Sequence, residues 1–241
     1  MAISLADFAE QTNPTTLAEA RHAGFRQALR IHGSFLAAGE KRALVWMAER
    51  MPASINSDHL TLLGFAAQIA TGACYALAAW DRRMLLAAAV CLAANWFGDS
   101  LDGTLARVRQ RQRPRYGFYV DHMIDSIGAV AMMGGLALSG FMHPAIAVGL
   151  LIGFLLLSIQ SYLATYTLGE FHLSVWRFGP TELRVLLVAG DLALFRWPSV
   201  IHGRYRLFDI GGGLGLAGML LMLVVVSVKN TVRLYREERI L

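Results

Sequence analysis

Apolar residues along this chain fall into six long runs, at roughly 59–80, 84–107, 117–141, 144–168, 180–197 and 207–228, separated by short polar breaks. A helix needs about 20 apolar residues to cross a bilayer, so each run reads as a membrane-spanning helix. The breaks near 81–83 and 142–143 are only a few residues long, and short turns force antiparallel neighbours. The pattern therefore predicts an up-and-down bundle. Before it, residues 15–51 mix Arg26, Arg30, Lys41, Arg42 and Arg50 with Phe25, Leu29, Phe35, Leu44 and Trp46 at helical spacing. That predicts a helix, broken near Gly33, lying in the membrane interface with its basic face toward headgroups, or packed on the bundle. Pro52 ends it, and Ser57 or Asp58 can cap the first span. The expected fold is an all-α integral membrane protein: a 53–241 six-transmembrane-helix bundle preceded by a 1–52 juxtamembrane segment.

Composition agrees with this. The chain is 56% hydrophobic and 16% charged with mean hydropathy +0.47, whereas about 25% of an average soluble domain is charged. A net charge of +5 could suit nucleic acid, but the sequence carries no nucleic-acid fold signature. With the N-terminus inside, sixteen Lys/Arg fall on inner segments and five on outer ones, Arg184 lying within a span. The positive-inside rule then puts both termini in the cytoplasm, as in a multi-pass protein of a bacterial inner membrane. Cys74 and Cys91 match no metal spacing and read as small packing residues; they leave the redox compartment open. The N-terminus has no signal-peptide core, so the first 50 residues are expected in the mature protein. Gly211 and Gly215 in the last span permit close contact within a chain or between protomers, and a homodimer is the expected assembly.

The chemistry is concentrated in residues 99–125, where four carboxylates interrupt apolar sequence. Each charge at bilayer depth costs about 2.5–3.5 kcal/mol on the mildest insertion scale, so four together imply a compensating cation and a task. At about 100° per residue, Asp99, Asp102, Gly103, Ala106 and Arg107 share an arc of about 140° on one helix, and Gly117, Asp121, Asp125 and Gly128 form a narrower stripe on the next. A hairpin through 108–116 would bring the two stripes face to face near the cytoplasmic side. One arginine cannot balance four carboxylates. Oxygen-only donors suit Mg²⁺ or Mn²⁺, and a pair of ions can hold a diphosphate during in-line displacement. Glycine at 103 and 117 would let a nucleotide approach the backbone, and Arg107 offers a fixed fork for phosphate.

These residues carry a resemblance. The run Asp99, Asp102, Gly103, Ala106, Arg107, nine intervening residues, Gly117, Asp121, Asp125 is similar to the signature of the CDP-alcohol phosphotransferases, DxxDGxxAR followed by GxxxDxxxD. The resemblance implies a membrane enzyme of phospholipid synthesis that uses two divalent ions and releases CMP. Asp99, Asp102, Asp121 and Asp125 would be metal ligands, with Asp125 also the base that takes the acceptor's proton. Gly103, Ala106, Arg107 and Gly117 would hold the cytidine diphosphate. The donor is expected to be CDP-diacylglycerol and the acceptor a polar alcohol. The alternative is a soluble CDP-alcohol such as CDP-choline or CDP-ethanolamine with a diacylglycerol acceptor.

Other positions are more ambiguous. Arg109, Arg111, Arg113 and Arg115 alternate with neutral residues and either bind phosphate or serve topology. Arg184, near Glu182 at the opening of the fifth span, either lines the acceptor or phosphate pocket or belongs to a structural network. Asn56 and Thr61 loosely resemble a PNxxT feature that touches nucleotide. His122 points about 100° from the carboxylate stripe and reads as a packing residue. Two other classes compete: an intramembrane prenyltransferase, which would need paired NDxxD motifs, and a cation carrier, which would need internal repeats.

Overall fold

The computed structural model describes residues 29–31, 37–172, 180–197 and 206–238. Among them are seven helices: α1 (Ala37–Arg50), α2 (Ser57–Leu77), α3 (Met84–Val108), α4 (Pro114–Leu138), α5 (Pro144–Leu168), α6 (Pro180–Arg196) and α7 (Leu207–Glu237). Two three-residue strands, β1 (Leu29–Ile31) and β2 (Glu170–His172), pair in parallel.

All six apolar runs are helical, and the chain is an all-α integral membrane protein. Four helices, α2, α3, α5 and α7, are long and apolar enough to cross a bilayer. The other two depart from that standard for visible reasons. In α4 the first half carries Asp121, His122 and Asp125, and α6 has only 17 residues.

The N-terminal expectation needs correction. Leu29–Ile31, placed in a helix by the sequence pattern, form β1, and helix begins at Ala37. The rest of the predicted helix before Ala37, including the break at Gly33, lies outside the described residues. In α1, Leu44 and Ala48 are buried against Leu60, Leu101 and Leu105, so this helix docks on the end of α2 and α3. Its Trp46 stays exposed, with the Arg50 guanidinium 4.4 Å from the ring centroid. Glu40 accepts hydrogen bonds from Trp96 Nε1 (2.7 Å) on α3 and from Thr181 Oγ1 (2.8 Å) on α6, which ties the juxtamembrane helix to the bundle.

The first span starts one residue earlier than its expected caps. Asn56, not Ser57 or Asp58, is the N-cap of α2, and His59 Nδ1 accepts the Asn56 backbone N–H at 3.2 Å. At the opposite end, His143 caps α5 and its backbone N–H donates to Asp209 Oδ1 of α7 at 2.6 Å.

The arrangement of the bundle turns on α2. It packs extensively on α3 and on α4, while α3 and α4 do not pack as a helix pair. A Cβ placed on Gly98 would meet Gly64 N and Leu60 O, each at 2.6 Å, so only glycine permits this approach of α3 to α2. Gly135 of α4 sits just as tightly against the backbone of Gly72. The predicted hairpin with α3 directly on α4 is therefore corrected: α2 is wedged between them as a common support. Two glycine contacts allow α2 a closer approach to each neighbour than the bulkier stripes of α3 and α4 allow to each other.

Elsewhere, α5 packs on α4 and α7, and α6 on α3. Of the α7 glycines, Gly212 is seated against Ile146, Met142 and Leu150, whereas Gly211 has open space around it and Gly215 touches only Leu150. Cys74 and Cys91 are free thiols that meet across α2 and α3, consistent with packing roles.

Candidate functional site

The four motif carboxylates stand well inside the bundle. Asp121 and Asp125 are seven and eleven residues from the start of α4, a depth of about 10–16 Å along its axis. Asp99 and Asp102 approach the same level from the C-terminal half of α3. Asp102 lies within electrostatic reach of Asp99 and Asp121, and Asp125 within reach of Asp99, Asp121, Asp102 and Arg184. The α3 and α4 stripes thus share one field although their helices do not pack as a pair. A small void of about 10 Å³, lined by Thr61, Gly64, Phe65, Gln68, Asn95, Asp99, Asp102, Ile124 and Asp125, lies among them beside α2.

Each carboxylate of α3 is oriented by a different partner. Asp99 Oδ2 accepts from Arg184 of α6 at 2.6 Å, and the two side chains are only 28% and 16% exposed. Partial burial strengthens such a pair, because water screens it less than on a surface. Arg184 is held in turn by Asn95, whose Oδ1 accepts from Arg184 Nε at 2.8 Å and whose Nδ2 donates to Gly64 O at 2.9 Å. Asp102 receives Thr61 Oγ1 from α2 at 2.5 Å and the backbone N–H of Gly103. Thr61, considered in the sequence for nucleotide contact, is placed here as the partner of a carboxylate.

Arg107 Nη2 donates to Thr104 Oγ1 at 2.9 Å at the exposed end of α3. A Cβ at Gly103 would meet the Arg107 guanidinium at 3.4 Å, and one at Gly117 would meet no neighbouring side chain or helix within 4 Å, so Gly117 faces open space and Gly103 faces Arg107. Beside them lies a cleft of about 380 Å³, lined by Asn56, Ser57, Asp58, Leu105, Ala106, Arg109, Arg111, Gln112 and Arg113. Ala106 brings the motif into its wall.

The alternating arginines divide by role. Arg109 donates to the carbonyls of Met51 and Pro52, each at 2.9 Å, and of Ile55 at 2.5 Å, stapling the α1–α2 turn to the end of α3. Arg113 pairs with Asp58 and lies over the Tyr116 ring at 4.2 Å. His122 is turned from the cleft: its Nδ1 is 2.6 Å from Phe118 O, and its ring packs against Phe118 and Tyr162. Tyr162 of α5 lies beside Ser126 and Ser158 and within electrostatic reach of Asp125 and Asp121.

Sequence reasoning overlooked Asn95, Thr104 and Tyr162. Asn95 had a visible signal, since it is a polar residue one turn before Asp99 on the same face of an apolar helix.

Among the described residues, no three His, Cys, Asp or Glu side chains converge as a ready coordination set. The donor chemistry nevertheless fits hard divalent cations: four carboxylates, no sulfur or imidazole among them, from two helices within one field. Arg184 compensates Asp99.

A family model described as CDP-alcohol phosphatidyltransferase matches residues 55–228. Among curated proteins, an archaetidylinositol phosphate synthase of Methanothermobacter thermautotrophicus is 34% identical over 104 residues, which is 43% of this chain and 47% of that protein. The matched region spans about half the length of the relative.

Proposed function

The chain belongs to the CDP-alcohol phosphatidyltransferase family, and on that premise we propose that it transfers a phosphatidyl group from CDP-diacylglycerol to the hydroxyl of a polar alcohol, with release of CMP. The observation that carries this reading is that Asp102 and Asp125, on different helices, each stand within electrostatic reach of Asp99, Asp121 and one another. The cytidine diphosphate lies against Gly103 and in the open space at Gly117, with Ala106 and the adjoining cleft beside it and Arg107, next to Gly103, toward its phosphates. The acceptor oxygen attacks the phosphorus that carries the diacylglycerol. The bond from that phosphorus to the bridging oxygen breaks, CMP leaves, and the hydroxyl proton passes to Asp125.

Asp99, Asp102, Asp121 and Asp125 would hold a pair of Mg²⁺ or Mn²⁺ ions, which supply charge neutralisation at the diphosphate and at the attacking and leaving oxygens. Thr61 fixes the rotamer of Asp102, and Arg184 limits repulsion at Asp99. The site end of the bundle, with both termini, faces the cytoplasm, where nucleotide and polar acceptor are found, and the working form is a homodimer.

A phosphorylated polyol is the first acceptor to test, because the product in the relative's name is a phosphorylated inositol lipid. Full-length protein in lipid nanodiscs is given CDP-diacylglycerol, Mn²⁺ or Mg²⁺, and separately inositol phosphate, glycerol phosphate, serine or choline. The expected result is CMP release that needs donor, divalent ion and one of the phosphorylated acceptors. Turnover only with CDP-choline or CDP-ethanolamine and diacylglycerol would reverse the lipid role, and absence of CMP release with every pair would remove the proposal.

A further inference from the structure

Besides Arg184, α6 carries a second polar side chain where none is expected. Asp191 is 0% exposed, in a core otherwise built from Leu85, Leu136, Leu194 and their apolar neighbours. Its Oδ2 accepts the hydroxyl of Tyr75, also 0% exposed, at 3.1 Å, and its Oδ1 has no hydrogen-bond partner among the described residues. A buried polar group costs stability unless it is hydrogen-bonded. The single bond to Tyr75 is therefore the feature that makes Asp191 tolerable in this position.

Three observations give the bond a consequence at the site. First, α2 and α6 are not a packed pair, so the Tyr75–Asp191 bond reaches between helices that α3 otherwise connects. Second, the buried residues of α6 are Asp191 and Leu194, so apolar packing alone holds this helix weakly. Third, Asp191 follows Arg184 by seven residues, which at about 100° per residue returns within about 20° of the same direction, about 10 Å farther along the axis. The two side chains thus share one face, one reaching α2 in the core and the other reaching Asp99 and Asn95 at the site. Two attachments on one face fix both the rotation and the axial register of a helix. Gly190 makes room for Phe208 of α7, whose ring meets Tyr75 edge-on at 6.5 Å and closes the core over the bond.

The geometry points to Asp191 and Tyr75 as positioning residues that set α6 so that Arg184 meets Asp99. This rests on the transferase reading above. Neither residue touches substrate; both act through Arg184.

The test compares Tyr75→Phe, Asp191→Asn and Asp191→Leu, each with Arg184 intact and with Arg184→Met, in the full chain under turnover with CDP-diacylglycerol. Tyr75→Phe and Asp191→Leu should lower kcat about tenfold while KM for the donor changes by less than about twofold. Asp191→Asn, which still offers an oxygen to Tyr75, should stay within about twofold of the parent. With Arg184→Met already present, Tyr75→Phe should cost less than about twofold more, because residues in one network are not additive. An equal loss in both backgrounds would overturn the inference. Should Asp191→Leu not fold, Tyr75→Phe keeps the ring and carries the test. A second readout needs no turnover: spin labels at the exposed positions Val90 of α3 and Leu186 of α6, with Cys74 and Cys91 replaced by alanine, report the spacing of the two helices. Their distance distribution should broaden in Tyr75→Phe and not in Asp191→Asn; no change in Tyr75→Phe would likewise overturn the inference. If the parent chain releases no CMP while the distances behave as expected, the transferase reading fails and the positioning of α6 stands.

Discussion

Asp99 and Asp102 lie within one helical turn of each other, yet one is paired to a guanidinium and the other to a hydroxyl and a backbone N–H. Asp125, on the facing helix, stands in the field of all three other carboxylates and of Arg184. Neutralising it while keeping its shape should remove the proton acceptor and weaken the hold on the ions without disturbing the fold. Asp125→Asn is expected to lower CMP release by roughly 10²–10⁴-fold, with the thermal midpoint in detergent no lower than that of the parent. Near-parental turnover would show that the proton goes elsewhere. The motif carboxylates were legible in the sequence because charge in an apolar run demands an explanation. Asn95 was legible in principle by its spacing from Asp99. The Arg109 staple was not, because it depends on three carbonyls of residues 51–55 that only tertiary folding brings within reach.

At the scale of the element, α2 decides the site although it carries none of the motif. Gly64 and Gly98 bring α3 onto it, and Gly72 and Gly135 bring α4. Helical periodicity identified every one of these helices, since long apolar runs have few alternatives. It could not reveal that α2 lies between α3 and α4, because a short 108–116 connection says which helices are consecutive, not which surfaces fit. The same limit explains the N-terminus: mixed basic and apolar spacing suggested helix through residues 29–31, where pairing with Glu170–His172 prevails. If α2 is the common support, Gly64→Leu should overpack the α2–α3 contact, cost roughly 1–3 kcal/mol of stability and reduce turnover more than an equivalent change at exposed Gly134. Equal turnover in the two variants would mean that the α2–α3 approach does not control the site.

For the whole molecule, the six antiparallel helices put α1, the 109–113 turn and the end of α7 at the same end as the carboxylates. We propose, from the distribution of Lys and Arg, that this end faces the cytoplasm. Single cysteines replacing Arg111 and Glu238 should then react with a membrane-impermeant maleimide in inside-out vesicles and not in sealed right-side-out ones, with a cysteine at Arg82 giving the reverse. Labelling of Arg111→Cys and Arg82→Cys from the same side would rule out this topology. The central claim, that carboxylates from α3 and α4 act jointly on shared cations, is tested most directly by counting bound Mn²⁺ by electron paramagnetic resonance in the purified full-length protein with CDP-diacylglycerol present. A pair of ions is expected for the parent, with occupancy falling in both Asp99→Asn and Asp121→Asn and no further fall from the second substitution at the shared ion. Mn²⁺ occupancy that neither substitution changes would contradict it.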